Sequence, residues 1–297
     1  MVAVGRLITA MVTPFGDDGE VSYSQARRLA RSLLNSGSDG LVVSGTTGES
    51  PNLSTDEKLK LFSEIRDELG YDGAIVAGTG NYSTAESIEL TQAAEKQGVD
   101  AALLVVPYYN KPTQDGLYKH FRAIAESTGL PCILYNVPSR TVTNLSHETV
   151  LALSEIDNII GVKEASGDFD QITRIISGAP SDFNVWSGND NDTFGIMCLG
   201  GYGVISVASH LIGVQIKDMM QLILDGKTAE AASEHKRLFE MFKGLFTVSN
   251  PIPVRYGLQH VGFEVGSPRL PLTDPDPQTA KQITELLRSY KIDFPVE

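Results

Sequence analysis

The sequence has 297 residues, 41% of them hydrophobic, and a formal net charge of -13 at pH 7. A chain of this size can bury a large core, and its acidic balance without a basic run argues against nucleic-acid or membrane-surface partners. Its five histidines are scattered without paired ligand spacing, which disfavours a metal site.

The cysteines and the N-terminal residues indicate the cellular compartment in which we expect the protein. Cys132 and Cys198 have apolar neighbours in the sequence, which predicts reduced core residues of a cytoplasmic protein. The first 15 residues lack a basic region followed by an apolar run, so we expect no signal peptide. The apolar stretch 198–214 contains glycines, serines and a histidine, which disfavours a bilayer-spanning helix.

Short apolar runs typical of strands recur along the chain. They start about 20 to 35 residues apart, close to the roughly 30 residues of a strand–helix unit. The eight runs span 7–12, 40–44, 74–77, 101–106, 132–136, 159–163, 183–186 and 203–207.

Amphipathic stretches with helix-start signals lie between these runs. Ser54 with Glu57 and Ser83 with Glu86 are typical of capping boxes, and Asp168 precedes a third such stretch. Alternation of apolar strands with helices predicts an α/β fold, a (β/α)8 TIM barrel. An open doubly wound sheet is the alternative.

Beyond His210 the pattern becomes entirely helical. We predict helices over 215–224, 228–246, 253–260 and 278–290, joined by polar or proline-rich segments. The predicted organisation is a catalytic barrel over residues 1–230 and a helical extension over 231–297, packed on the barrel.

The sixth apolar run contains a lysine, in the stretch Ile159-Ile160-Gly161-Val162-Lys163-Glu164-Ala165-Ser166. A strand period of two places Ile159, Gly161, Lys163 and Ala165 on one face. A buried amine either finds a partner or loses its proton, and an uncharged amine is a nucleophile. The alternative is a lysine at a strand end whose ammonium reaches solvent.

In such a barrel the chemistry lies at the carboxyl ends of the strands. An imine between Lys163 and a ketone would let a neighbouring methyl lose a proton, and Tyr135 on the adjacent strand could relay protons. Thr46 and Thr47 suit a small carboxylate, and Arg140 suits a second one. Individually, Arg140 could instead pair with a surface carboxylate.

Four motifs in this order resemble the dihydrodipicolinate synthase and N-acetylneuraminate lyase superfamily of class I aldolases, from about residue 5 to residue 290. They are Gly45-Thr46-Thr47-Gly48-Glu49, Tyr135-Asn136-Val137-Pro138, Lys163-Glu164-Ala165-Ser166-Gly167 and Asn250-Pro251-Ile252-Pro253. The likeness is greatest to the dihydrodipicolinate synthase family. That implies a lyase that joins pyruvate to L-aspartate 4-semialdehyde in lysine and diaminopimelate biosynthesis, without metal or organic cofactor.

The resemblance also implies roles for individual residues. Lys163 matches the Schiff-base lysine and Tyr135 the proton-relay tyrosine. Thr46 and Tyr109 match the other hydroxyl-relay members, the tyrosine being lent across a dimer interface of a homotetramer. In the substrate site, the matches are Thr47 and Ile205 for pyruvate, Gly188 near the second substrate, and Arg140 for the semialdehyde carboxylate.

Two other functions remain open at this stage. A sugar-acid lyase acting on N-acetylneuraminate or 2-keto-3-deoxygluconate would use the same lysine imine, but Arg140 together with Tyr109 favours the synthase. A catalytically inactive barrel that only binds a keto acid would lack the lysine or the tyrosine, and both are present.

The resemblance implies a regulatory pocket for lysine at the dimer interface. Ser50, Glu86 and Tyr108 fit the lysine-sensitive pattern, whereas Thr55, Lys58 and Tyr82 do not. A cation at position 58 would repel an incoming cationic amino acid. We therefore expect weak or absent inhibition by lysine.

Overall fold

A computed structural model describes residues 3–295. Eight parallel strands pair in sequence order and the last pairs with the first, so the sheet is a closed barrel. The strands are β1 (Leu7–Ala10), β2 (Gly40–Val43), β3 (Ala74–Gly78), β4 (Ala101–Val105), β5 (Cys132–Asn136), β6 (Ile159–Glu164), β7 (Asn184–Ser187) and β8 (Gly203–Ser206). The predicted (β/α)8 barrel is confirmed.

Helices follow the strands and surround the barrel. They are α1 (Tyr23–Asn35), α2 (Thr55–Leu69), α3 (Thr84–Glu95), α4 (Gln114–Ala125), α5 (Pro138–Thr141), α6 (His147–Leu153), α7 (Phe169–Gly178), α8 (Thr193–Cys198), α9 (Ser209–Leu224), α10 (Thr228–Gly244), α11 (Ile252–His260) and α12 (Pro277–Arg288).

The predicted helix starts are present, but only the one at Ser54 is a full capping box. At α3, Ser83 Oγ accepts from the Glu86 amide at 3.4 Å, whereas the Ser83 amide donates to Asn81 Oδ1 and not to Glu86. Ser54 Oγ accepts from the Glu57 amide at 3.2 Å, and Glu57 Oε2 accepts from the Ser54 amide at 2.8 Å. Asp168 Oδ1 likewise accepts from the Gln171 amide at 3.0 Å. These caps satisfy amides that a helix leaves unpaired at its first turn, and they fix where each helix begins.

Side chains alternate between two apolar layers along the strands. In β4, Ala101 and Leu103 point into the barrel, whereas Ala102 and Leu104 pack beneath the helices. The interior cluster consists of Val4, Ile8, Ala10, Val42, Val76, Ala101, Leu103, Ile133, Tyr135, Val137, Ala165, Trp186 and Ile205. The barrel interior is therefore a packed core, and ligands must enter from a rim.

An irregularity in the pairing of β5 with β6 makes the predicted orientation of Ile159 wrong. Pairing of β5 with β6 shifts register between Cys132 and Ile133, so that Ile133 lies opposite Gly161. Ile159 consequently packs in the outer layer with Val162, while Ile160 packs against the interior cluster. Alternation from Gly161 to Ala165 is unaffected, because the extra residue precedes it.

The prediction for Cys198 is also wrong. Cys132 is buried, as expected, but Cys198 is exposed at the last position of α8. This short helix buries Ile196 and Met197, and its final residue turns outward at the Leu199–Gly200 end, which is also exposed. Both thiols are free.

The four C-terminal helices are present with slightly different ends. α9 begins six residues early, at Ser209, and contains a non-helical residue, Ile212. The helices predicted over 228–246 and 278–290 end two residues early, at Gly244 and Arg288, and the one predicted over 253–260 ends at His260 as expected. Buried side chains of α10, α11 and α12 share one hydrophobic cluster with those of β1 and α1. The division at residue 230 stays a prediction. Within residues 3–295, no helix is both long and apolar enough to cross a membrane.

Candidate active site

The side chain of Lys163 lies inside the barrel mouth. The residue is 5% exposed, and its Cα lies opposite Tyr135 of β5 and Trp186 of β7. Its Nζ atom is 4.3 Å from the centre of the Tyr135 ring. The predicted pairing of amine and phenol is therefore present geometrically, and the alternative of a lysine reaching into open solvent does not describe this side chain.

A buried carboxylate that the sequence analysis did not single out lies near the amine. Asp190 is 3% exposed and accepts from the amides of Val207 and Ala208, both at 3.1 Å, and from the Ser206 hydroxyl. Burial raises the pKa of Asp190, while these hydrogen bonds and the charge of Lys163 oppose that increase. Asp190 thus ties the chain after β7 to the end of β8.

A cavity of about 490 Å³ opens beside Lys163. It brings together six of the eight predicted catalytic and substrate-binding residues, namely Thr46, Thr47, Tyr135, Arg140, Lys163 and Gly188. They come from the ends of β2, β5, β6 and β7, which meet at one rim because the sheet is parallel and closed.

Asn250 links the two candidate carboxylate-binding positions. Its Nδ2 donates to Thr47 Oγ1 at 2.9 Å, and its main-chain oxygen accepts from Arg140 Nη2 at 3.3 Å. Asn250 also lines the cavity. The sequence analysis identified the motif that begins at Asn250 but gave this residue no role in the site. Its partners Thr47 and Arg140 are more than 100 residues away in the sequence, so their contacts are visible only in the fold.

Glu164, at the end of β6, stabilises the strand ends next to the site through hydrogen bonds. Its carboxylate accepts from Asn136 Nδ2 at 3.1 Å, from Gln171 Nε2 at 3.1 Å and from the Ser166 amide at 2.8 Å. Burial raises the pKa of Glu164, and these donors oppose the increase. Glu164 and Asn136 directly follow Lys163 and Tyr135, so this network fixes the strand ends that carry both.

Two predicted site residues lie outside the cavity. Ile205 is fully buried in the interior cluster rather than among the lining residues. Tyr109 is 91% exposed, has a positive φ of 72°, and does not line the cavity in the part of the chain that is described. A single chain therefore does not bring the Tyr109 hydroxyl to Lys163.

Four of the five candidate regulatory residues, all but Glu86, line a neighbouring cavity of about 510 Å³. Ser50, Lys58, Tyr82 and Tyr108 line it, and the last two rings pack edge to face with centres 5.2 Å apart. Burial lowers the pKa of Lys58, and the negative charge of Glu86 opposes this. Thr46, Tyr135 and Arg140 line both cavities, so the two spaces are contiguous.

Comparison with known proteins shows the family of the chain. The model of the dihydrodipicolinate synthetase family matches residues 3–290. The chain belongs to this family. Within it, 4-hydroxy-tetrahydrodipicolinate synthase of Dehalococcoides mccartyi strain CBDB1 is 58% identical over the full length of both chains.

Solved structures of family members superpose closely on the barrel. A dihydrodipicolinate synthase of Bacillus anthracis is 42% identical, with a TM-score of 0.96 over 98% of this chain and 100% of that one. The family member of Cyanidioschyzon merolae, solved with lysine bound, is 44% identical, with a TM-score of 0.95 over 97% of this chain and 99% of that one.

Gly188 gives a direct test of how tightly the lysine is held. A Cβ at this position would lie 2.6 Å from Ala165 Cβ and 3.2 Å from Lys163 Cγ. We expect Gly188→Ala to displace the amine and to lower kcat roughly 10- to 100-fold, as misplacement of a reacting group by about 1 Å does. Steady-state kinetics measures the loss.

Gly116→Ala is the matched control, because its new Cβ would make only ordinary contacts at 3.4 Å on α4. It should keep the wild-type rate. Wild-type turnover in Gly188→Ala would show that the lysine tolerates displacement and would contradict the tight geometry.

Proposed function

We propose that the protein catalyses the reaction for which its curated relatives are named, 4-hydroxy-tetrahydrodipicolinate synthesis from pyruvate and L-aspartate 4-semialdehyde. The observation that carries the proposal is the buried Lys163 amine 4.3 Å from the Tyr135 ring, in a cavity with Thr46, Thr47 and Arg140. Those side chains offer one nucleophile, one phenolic proton donor and acceptor, and separate binding groups for two carboxylates.

The first half of the reaction uses the amine as a nucleophile. Lys163 Nζ attacks C2 of pyruvate, and loss of one water from the resulting adduct gives a protonated imine. The hydroxyls of Thr46 and Thr47 would hold the pyruvate carboxylate and orient its ketone. The protonated imine withdraws electrons from C3, so a methyl proton can be removed through Tyr135 and an enamine forms.

The second half forms the carbon–carbon bond. Arg140 would hold the carboxylate of the semialdehyde through a bidentate pair while enamine C3 attacks the aldehyde carbon. The aldehyde oxygen gains a proton and becomes a hydroxyl. The amino group of the new product then displaces Lys163 from C2, which closes the ring and regenerates the free amine.

We extend the proposal to the assembly. Tyr109 is exposed in the single chain, and its left-handed backbone at the tip of the loop after β4 is consistent with insertion into a neighbouring copy. Tyr109 would then complete a hydroxyl relay with Tyr135 and Thr46 within a homotetramer of two dimers. A cytoplasmic location belongs to the same proposal.

Trapping of the imine tests the chemistry at Lys163. Borohydride added with pyruvate should reduce the imine and add covalent mass to the peptide containing Lys163, as measured by mass spectrometry. Lys163→Met should abolish the adduct, whereas Lys58→Met, which removes the amine of the neighbouring cavity, should retain it.

Absence of an adduct in the wild-type protein would refute the mechanism. Substrate choice is measured on the same preparation, and pyruvate consumption with aspartate semialdehyde should exceed pyruvate release from N-acetylneuraminate or 2-keto-3-deoxygluconate. The reverse order would support a sugar-acid lyase.

The second cavity leads us to expect weak feedback by lysine. Lys58 lines this cavity, and repulsion between two cations about 4 Å apart costs about 1 to 4 kcal/mol across solvent-like and surface dielectrics. Lysine titration should therefore give no half-inhibition at submillimolar concentration, and Lys58→Ala should increase sensitivity. Submillimolar inhibition of the wild-type protein would show that Lys58 does not exclude the ligand.

A further inference from the structure

A buried ion pair lies beneath the loop that carries Thr46 and Thr47. Glu49, at the end of this loop, is 1% exposed, and Arg255 of α11 is 2% exposed. Arg255 Nη1 lies 3.3 Å from Glu49 Oε1. The pair joins the loop after β2 to the C-terminal extension, and neither residue lines the cavity beside Lys163.

Glu49 fixes the shape of the loop through its main chain and its carboxylate. Its amide donates to the Thr46 carbonyl at 3.1 Å, and its φ of 57° is left-handed. Its Oε2 accepts from the Arg269 amide at 3.0 Å and from Asn52 Nδ2 at 3.2 Å. A residue without glycine's freedom keeps this backbone conformation only where its surroundings impose it.

Arg255 gathers three segments around the same carboxylate. It donates to the Thr13 carbonyl at 2.6 Å, to the Gly266 carbonyl at 2.9 Å and to the Val265 carbonyl. Thr13 in turn donates from its hydroxyl to the Gly48 carbonyl at 2.7 Å. The guanidinium therefore connects the chain after β1, the threonine loop and the segment after α11.

Stability alone is a weak explanation for this pair. Buried ion pairs are commonly no more stabilising than apolar side chains of similar size, since both charges lose their hydration. Within residues 3–295, Glu49 Oε1 and Arg255 Nε also lack any hydrogen-bond partner. What Arg255 supplies is direction, because its planar fork donates to carbonyls of Thr13, Val265 and Gly266 at angles that apolar contacts would leave free, and Glu49 provides the opposite charge beside it.

We propose that Glu49 and Arg255 are positioning residues that hold the Thr46–Thr47 loop in the geometry required to bind the keto-acid carboxylate. The inference rests on the proposed function, in which this loop binds pyruvate before the semialdehyde arrives. It gives α11 of the C-terminal extension a part in the first half-reaction, alongside the contact of Asn250 with Thr47.

The proposed mechanism releases water before the semialdehyde binds and is therefore ping-pong, so kcat/KM for each substrate reports only its own half-reaction. Glu49→Gln keeps the side-chain shape and removes the charge. We expect it to lower kcat/KM for pyruvate roughly 10- to 100-fold, the size of effect that misplacing a binding group produces. kcat/KM for the semialdehyde should change less than about threefold, and imine trapping should slow in parallel.

A second ion pair, with a buried carboxylate and a partly buried arginine, supplies the control. Arg66 pairs with Asp100 just before β4, at the opposite end of the barrel, and the Asp100 carboxylate also accepts from the Ile75 amide at 2.9 Å. Residues at the amino-terminal end of a barrel contribute to stability rather than to chemistry. Asp100→Asn should lower the melting temperature and leave both kcat/KM values within about threefold of wild type.

Arg255→Lys provides a second measurement that does not depend on folding of Glu49→Gln. It keeps the positive charge but loses the fork, and we expect the same selective loss for pyruvate. Equal loss for both substrates, or a lower melting temperature with unchanged kinetics as in Asp100→Asn, would overturn the positioning role. If the wild-type protein forms no imine, the proposed function itself fails. If the wild type forms the imine and a variant forms it at the same rate, only the positioning role fails.

Discussion

Burial of one amine constrains the rest of the site. Lys163 is 5% exposed inside the barrel mouth, and removing an ammonium from water costs several kcal/mol unless nearby groups compensate. The face of the Tyr135 ring on the neighbouring strand and the Asp190 carboxyl group after β7 are the compensating groups. An amine held in this way remains close to its proton-transfer partner and away from bulk water. Nearness to that partner serves the proton transfers of imine formation, and exclusion of bulk water protects the imine from hydrolysis.

The closed parallel sheet allows distant parts of the chain to serve this amine. Strand ends that are far apart in sequence meet at one rim, and loops after them supply Thr46, Thr47 and Arg140. The C-terminal extension adds contacts that the barrel lacks. Asn250 bonds to Thr47 and Arg140, and Arg255 pairs with Glu49 under the same loop. The extension therefore contributes to the shape of the site as well as to the hydrophobic core.

Local patterns in the sequence were sufficient for the architecture and for the central lysine. Apolar runs located every strand within two residues, and a lysine inside such a run indicated Lys163, since that pattern is unusual in a buried strand. Features that depend on contacts between distant segments were not predictable. The bulge beside Ile159, the partners of Asp190 and the outward turn of Cys198 are set by packing. The role assigned to Tyr109 requires a second chain, so neither the sequence pattern nor a single chain tests it.

A crystal structure of the protein soaked with pyruvate tests the central claim most directly. Continuous electron density should join Lys163 Nζ to C2 of the keto acid, with the carboxylate against Thr46 and Thr47. Pyruvate bound elsewhere, or bound in this cavity while the lysine stays unmodified and turned away, would contradict the assignment of Lys163 as the nucleophile.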